Sequence, residues 1–313
     1  MDSQSKINQL KSLIRAQLTP LIDNDYYLLE LPYYTNIGDT MIWQGELDFL
    51  ATLPFKCLGM YSKETFSFTD IDEQAIILLQ GGGNFGDLWY EHHLFKLNVV
   101  QHYPHNKIIF LPQSVYFEHE ENLLHSVRIL AQHPNVTICA RDNVSYHTLC
   151  TRFHNTVLLI PDMAFYISPT TLNKYIPRNR QYPQRTLYVK RNDKETTSDI
   201  NDNIANTRPT DVADWPTMEH TDKSTWFLIK MMTFSHSCGS LIDWFVRHYY
   251  RHHLLKEGVH FIMPYQTIIS TRLHTAVLGL LLGKIVILND NSYGKNAAIY
   301  NTWLTDCESI SLI

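Results

Sequence analysis

What most restricts this chain is a unit that recurs between residues 27 and 165, a short apolar run ending in a polar or glycine-rich turn. Ala75–Gln80 (AIILLQ) halts at three glycines, and Lys107–Leu111 (KIIFL) halts at Pro112-Gln113-Ser114. Asn135–Ala140 (NVTICA) ends at Arg141-Asp142, and Val157–Ile160 (VLLI) ends at Pro161-Asp162. An earlier run, Tyr26–Leu31, leads to the loop Asn36-Ile37-Gly38-Asp39 and a helix from about Thr40 to Leu50. Continuous apolar runs of this length are buried on both faces, as strands of a parallel sheet are. Helical stretches lie between most of them, so the pattern predicts an α/β fold with a doubly wound parallel sheet. In such a sheet ligands bind beyond the carboxyl ends of the strands, so the chemistry is to be sought in the turns that follow them.

Residues 168 to 184 are polar, carry prolines and lack apolar periodicity, which reads as a linker. A second unit follows, with a strand at Thr186–Lys190 ended by Arg191-Asn192-Asp193. The stretch Asn192–Pro216 reads as a polar surface excursion and Ser224–Leu255 as helical. The strand Thr267–Ser270, the helix Thr275–Leu282 and the strand Ile285–Leu288 complete the unit. The expected division is 1–170 and 171–313, with the final residues open to packing back on the first unit. A cleft between two such units encloses two substrates economically.

Charge narrows the function. The chain has 313 residues, 44% of them apolar and 18% charged, which is the balance of a globular protein. Net charge is −5 with no long basic run, which disfavours a nucleic-acid partner. Any anion site must then be built from a few local cations, because the overall field does not attract anions. The cysteines Cys57, Cys139, Cys150, Cys238 and Cys307 are far apart and form no CxxC pair, so reduced, mostly buried thiols are expected. Residues 1–18 suit an amphipathic helix and not a signal peptide. The longest apolar run, Ala276–Leu288, is broken by Gly283 and Lys284 and is too short to cross a bilayer. A cytoplasmic location follows as the expectation, with peripheral membrane contact left open.

Four turns carry candidate chemistry. Gly81-Gly82-Gly83 with Asn84 follows a buried strand, where glycines let backbone approach a ligand and the next helix offers N–H groups to an anion. The spacing is not that of a dinucleotide site. Asn36 and Asp39 follow the first strand; Asp39 could cap the helix, bind sugar hydroxyls with Asn36, or act as a base. Arg141 ends its strand where a guanidinium suits bidentate capture of a carboxylate or phosphate, while Asp142 suits a helix cap. Thr271-Arg272-Leu273-His274 joins an apolar strand to an apolar helix. Arg272 and His274, two apart, can face one side there, a fixed charge beside a group able to donate a proton near neutral pH. Lys295 could add a third cation. The histidines His92, His93, His252, His253 and His260 have no recognised metal-ligand spacing and read as solvated helix faces, so no metal is expected.

The segments NIGDTMIWQGELDFL, LLQGGGNFGDLW, FLPQSV, ICARDNVSYHTL, LIPDMAF and STRLHTAVLGLLLGKIVIL, in that order, resemble the polysaccharide pyruvyl transferase family from about residue 30 to 300. The resemblance implies a GT-B-like fold, two Rossmann-like domains facing a cleft. It also implies transfer of the enolpyruvyl group of phosphoenolpyruvate to a galactose-type sugar, forming a cyclic pyruvate ketal and releasing phosphate, in exopolysaccharide or capsule synthesis. Carried over by motif, Arg141 and Arg272 bind phosphoenolpyruvate and His274 is the acid. The implied partners are phosphoenolpyruvate as co-substrate, with no cofactor, and a saccharide acceptor that can be lipid-linked. Two rival readings share these features, a nucleotide-sugar glycosyltransferase of GT-B architecture and a non-catalytic glycan-binding protein.

Overall fold

Each of the apolar runs becomes a parallel strand, and the strands gather into two sheets. A computed structural model describes residues 1–177, 185–191, 209–290 and 294–313, with the backbone alone at 235–237. The first sheet comprises β1 (Tyr26–Leu29), β2 (Cys57–Tyr61), β3 (Ile76–Leu79), β4 (Gly82–Gly86), β5 (Ile108–Tyr116), β6 (Val136–Ala140) and β7 (Thr156–Leu159). Its order is β2-β1-β3-β5-β6-β7, with β4 pairing β5 off this path. The second sheet comprises β8 (Thr186–Val189), β9 (Asp211–Ala213), β10 (Thr267–Ser270), β11 (Ile285–Leu288) and β12 (Ile310–Leu312), in the order β12-β11-β10-β8-β9. All described pairings are parallel, and helices flank both sheets. This is the two-unit α/β architecture that the alternation of runs and turns predicts.

The units share an apolar core. The N-terminal helix Ser3–Leu18 buries Ile7, Leu10, Ile14 and Leu18, one stripe at helical spacing. These side chains belong to a cluster that continues through Ile42, Phe49 and Met163 to Leu254, Leu278 and Val286 of the second unit. Each such side chain, fully buried, contributes roughly 1.5–3 kcal/mol. Polar bonds add to the junction, as Trp303 donates its indole N–H to the Arg141 carbonyl at 2.7 Å and Lys6 pairs with Asp306 at 2.6 Å. The last strand, β12, stays in the second sheet. Among the described residues no helix is long and apolar enough to cross a membrane.

Several local expectations need correcting. Asn36-Ile37-Gly38-Asp39 is not a loop: the helix begins at Ile37, and Asn36, not Asp39, caps it by accepting the Gly38 N–H at 2.9 Å. Pro112-Gln113-Ser114 does not end its strand, because β5 runs on to Tyr116. Proline has no N–H for the ladder, and the pairing with β6 shifts register between Phe110 and Gln113 to accommodate it. Gly82–Gly86 forms a strand, so the next helix begins only at Tyr90 and its N–H groups lie away from the glycines. The supposed excursion Asn192–Pro216 ends in order, with β9, a buried Asp214 and a buried Trp215; residues 192–208 lie outside the described residues. The linker's 178–184 portion does as well, while Pro169–Asn173 is a short helix. Of the cysteines, Cys139 and Cys307 are buried, but Cys150 and Cys238 are exposed.

Candidate functional site

Both sheets reverse their strand order once, the first between β1 and β3 and the second between β8 and β10. At such a switch point the connections leave in opposite directions and open a crevice beyond the strand ends. The residues following these strands line one cleft of about 500 Å³, to which the first unit contributes Asn36, Asp39, Gly83, Asn84 and Arg141. The second unit contributes Arg191, Arg272, His274 and Lys295. The structure thus brings most of the expected residues together. Gly81 and Gly82 stand behind the lining, the Gly81 N–H turned inward to Glu46 Oε1 at 2.9 Å.

Arg141 is fully buried, and its position at the end of β6 explains its partners. Its Nε donates to Ser114 Oγ at 2.8 Å, and Nη1 donates to Asp162 Oδ2 at 2.6 Å. Ser114 in turn donates to Asp142 Oδ2 at 2.6 Å, and Asp142 caps the next helix by accepting the Ser145 N–H at 2.8 Å. Nη2 is buried without a hydrogen-bond partner among the described residues, and a methyl on Gly83 would lie 3.6 Å from it. A buried charged donor left unmatched is costly, so this nitrogen calls for an acceptor. It is one donor, not a free fork, because the other edges of the guanidinium are already engaged.

Asp162, at the end of β7, links the two units. Its Oδ2 accepts from Arg141 and lies 3.3 Å from His274 Nε2. Burial would raise this carboxyl, but the neighbouring His274 and Arg141 outweigh burial and hold it well below the usual carboxylate range. With Nε2 directed at Asp162, Nδ1 makes no hydrogen bond among the described residues. Gly38 lets the ring sit this close to the helix start, since a Cβ there would lie 2.6 Å from Nδ1.

Arg272, only 5% exposed, caps no helix by its side chain. It forks onto the Asp214 carboxylate through Nε and Nη2, the latter at 2.6 Å from Oδ2. Bidentate capture of a ligand through that edge is therefore excluded, and Arg272 offers a fixed charge at the wall of the cleft. Lys295 is the first residue of the helix Lys295–Trp303, turned into the cleft by Gly294 at φ 72°. Its ammonium reaches the space beside Gly83, where a Cβ would lie 2.3 Å from Nζ.

Opposite these cations lies a polar wall. Asp39 Oδ2 accepts from Asn36 Nδ2 at 2.6 Å and from the Tyr34 hydroxyl at 3.1 Å, while Oδ1 accepts no bond among the described residues. Asn36 has its amide engaged on both sides and so orients Asp39. Asn84 donates to Glu30 Oε1 at 3.3 Å. Burial, then the Asp39 and Glu30 carboxylates, push the Tyr34 hydroxyl well above its ordinary value, so it stays a donor. Glu30 carries the only non-glycine positive φ among the described residues, 69°, a strain of about 1–3 kcal/mol. Its buried carboxylate is fixed by His92 Nδ1 at 2.5 Å and Lys96 Nζ at 3.1 Å.

The histidines are not a solvated face, apart from the exposed His260. His92 lines the cleft. His93 is fully buried, 2.7 Å from Ser126 Oγ, and burial depresses it to about 3. His252 meets the Tyr175 hydroxyl at 2.5 Å, and His253 meets Asp222 at 2.5 Å. The site residues that the sequence reading missed are Asp162, Arg191, Asp214, Glu30, Tyr34 and His92. Asp162 and Arg191 carried a usable signal, a charge at the end of an apolar strand.

Comparisons with known proteins bear on this site. The EpsO protein of Bacillus subtilis, whose name assigns it provisionally to the pyruvyl transferases, is 30% identical over 319 residues, 100% of this chain and 96% of its own. Pyruvyl transferase 1 of Schizosaccharomyces pombe is 29% identical across 90% of this chain and 70% of its own. A crystal structure of an uncharacterized protein from Klebsiella pneumoniae aligns with a TM-score of 0.63 at 19% identity, covering 97% of this chain and 98% of that one, and so shares the fold. The family model for polysaccharide pyruvyl transferase spans residues 36–293, from the helix cap beside Asp39 to the threshold of Lys295. A match across most of both units, on a cleft built from the matched segments, means that this chain belongs to the polysaccharide pyruvyl transferase family.

Proposed function

We propose that the protein transfers the enolpyruvyl group of phosphoenolpyruvate to two hydroxyls of a galactose-type sugar, forming a cyclic ketal and releasing phosphate. One observation carries this reading: cations from both units, Arg141 from the first and Arg272, His274 and Lys295 from the second, line one cleft. The donor bears a carboxylate and a phosphate, and such a pair needs converging positive groups. Arg141 Nη2 and Lys295 take one anionic group, and Arg272 faces the other. His274 gives a proton from Nδ1 to the C3 methylene, and Asp39 Oδ1 takes the proton of the first sugar hydroxyl as its oxygen bonds to C2. The second hydroxyl then displaces phosphate from C2, and its proton leaves with the phosphate. Asn84 hydrogen-bonds the acceptor. No cofactor enters the scheme, and the acceptor can be carried on a lipid.

The decisive experiment incubates the protein with phosphoenolpyruvate and a galactose-bearing acceptor. Inorganic phosphate and an acceptor heavier by one pyruvic acid less one water are expected. Release of a nucleoside diphosphate from a nucleotide sugar, with none from phosphoenolpyruvate, would make the glycosyltransferase reading correct.

Two glycines provide graded tests. In Gly83→Ala the new methyl displaces the mobile end of Lys295, and losing one charge-assisted bond raises KM for phosphoenolpyruvate roughly 10–100-fold at nearly unchanged kcat and thermal midpoint. In Gly38→Ala the methyl collides with the His274 ring, so kcat falls and KM hardly moves. Steady-state kinetics separate the two, and an identical pattern in both variants would contradict the assignment.

A further inference from the structure

Several exposed apolar side chains lie together on one helical pair. Trp226, Phe227, Ile229, Phe234, Leu241 and Trp244 belong to the helices Lys223–Met232 and Ser235–Phe245 and the turn between them. Trp226, Phe234 and Trp244 are 58%, 61% and 57% exposed. On the first helix, positions 226, 229, 230 and 233 form one outward stripe, while Thr225 and Leu228 face inward. On the second, Leu241 and Trp244 face outward, followed by His248 in the next turn, with Ile242 and Asp243 buried. The two helices meet where the Phe227 and Phe245 rings lie 5.0 Å apart, and Phe245 stacks on Tyr249 at 5.3 Å. A soluble surface rarely leaves so large an aromatic patch uncovered without a use.

Charge identifies the occupant. From Lys223 to Lys256 the basic residues are Lys223, Lys230, Arg247, Arg251 and Lys256, and the one acid is Asp243. Asp243 is turned inward, accepting from the Tyr33 and Thr65 hydroxyls at 2.8 and 2.7 Å. The exposed cations on this face are Lys223 and Lys230, the Lys230 ammonium 5.2 Å over the Trp226 ring, while Arg247 and Arg251 turn inward to the Asp243 carbonyl and Gln44. A second copy fits poorly, because a two-fold interface would set the two lysines against themselves while the nearest acid, Asp222, is already engaged by His253 at 2.5 Å. Aromatic rings flanked by lysines are matched by the boundary between acyl chains and anionic headgroups.

We infer that this helical pair docks on an anionic lipid bilayer, with Trp226, Phe234 and Trp244 entering the interface and Lys223 and Lys230 lying on phosphate groups. Leu241 also lines a groove of about 830 Å³ that shares Lys63 and Glu64 with the catalytic cleft. Docking in this way aims the groove at the bilayer, which suits an acceptor presented from it; that last clause alone rests on the proposed function.

The test needs neither donor nor acceptor, so its failure is distinguishable from failure of the transfer reaction. Full-length protein is sedimented with phosphatidylcholine vesicles, with and without phosphatidylglycerol. Binding is expected with phosphatidylglycerol and is expected to weaken with added salt. Trp226→Ser with Trp244→Ser lowers partitioning by roughly tenfold or more, and Lys223→Glu with Lys230→Glu by at least about 25-fold. Circular dichroism melts of these exposed-site variants confirm that they fold. Absence of binding to either vesicle, or binding that the substitutions leave intact, would overturn the inference. So would light scattering that shows a dimer split by the tryptophan substitutions.

Discussion

Turnover of the His274→Ala variant is expected to fall roughly 10²–10⁴-fold, the range that a positioned general acid contributes, with little change in KM for phosphoenolpyruvate. The reasoning starts from Asp162. Its carboxyl is held well below the usual range, because His274 and Arg141 more than offset the effect of burial. It therefore stays ionised at any working pH and can hold His274 by Nε2 in a fixed orientation, with the ring seated against Gly38 and Nδ1 making no hydrogen bond among the described residues. Alanine removes the proton and leaves Arg141 its Asp162 partner, so the anion site survives. His274→Gln separates two roles, since glutamine restores a hydrogen bond to Asp162 but supplies no titrating proton. If His274 only braced Asp162, the glutamine variant would recover most of the turnover, whereas an acid role leaves it as impaired as alanine. A pH–rate profile adds a second readout, because the limb that reports the acid disappears in both variants. Near-full turnover in His274→Ala would remove this residue from the mechanism.

How much of this was readable beforehand depends on the range of the interactions involved. The β-strands at Ile76–Leu79 and Val136–Ala140 were legible because a continuous apolar run stopped by polar residues has few other solutions. Arg141 and the Arg272–His274 segment were legible for a related reason, charge at the carboxyl end of a buried strand. What escaped depends on partners far away in sequence. Asp214 follows a strand of three residues, Asp211–Ala213, that exists only because β8 pairs with it. Asp39 was a fair candidate as helix cap, but Asn36 wins by starting the helix three residues earlier. The helix Tyr90–His102 buries His93 and Lys96 together with Phe95, Leu97, Val99 and Val100. A polar-face reading fails there, because the partners that make burial of His93 and Lys96 tolerable come from Ser126 and Glu30.

That buried lysine gives the second large effect. Lys96→Met is expected to cost about 3–5 kcal/mol of stability, the usual penalty for removing one member of a buried ion pair. Lys96 is fully buried, 3.1 Å from Glu30 Oε2, 3.1 Å from Gln113 Oε1 and 3.3 Å from the Gln80 carbonyl. Methionine fills much of the volume but leaves Glu30 with His92 and Asn84 as its remaining side-chain partners. The pH dependence has a definite sign. In the parent protein burial would raise the Glu30 carboxyl, but Lys96 and His92 outweigh burial and depress it. Its contribution to stability is therefore present above the unfolded carboxylate range and lost as pH falls through the folded value. Without Lys96 the burial effect dominates and Glu30 binds its proton more tightly when folded, so the variant loses stability as pH rises. Denaturant titrations across the acidic range thus find a gap between the two proteins that is widest near neutrality and closes toward low pH. Glu30→Gln combined with Lys96→Met recovers much of the loss, because no unpaired charge remains inside. Because Glu30 sits at φ 69° beside Asn84 and His92, the single variant also loosens the wall opposite the cations, and KM for the acceptor rises more than KM for the donor. A Lys96→Met protein as stable as the parent at neutral pH would show that this buried pair does not hold the switch-point turn in place.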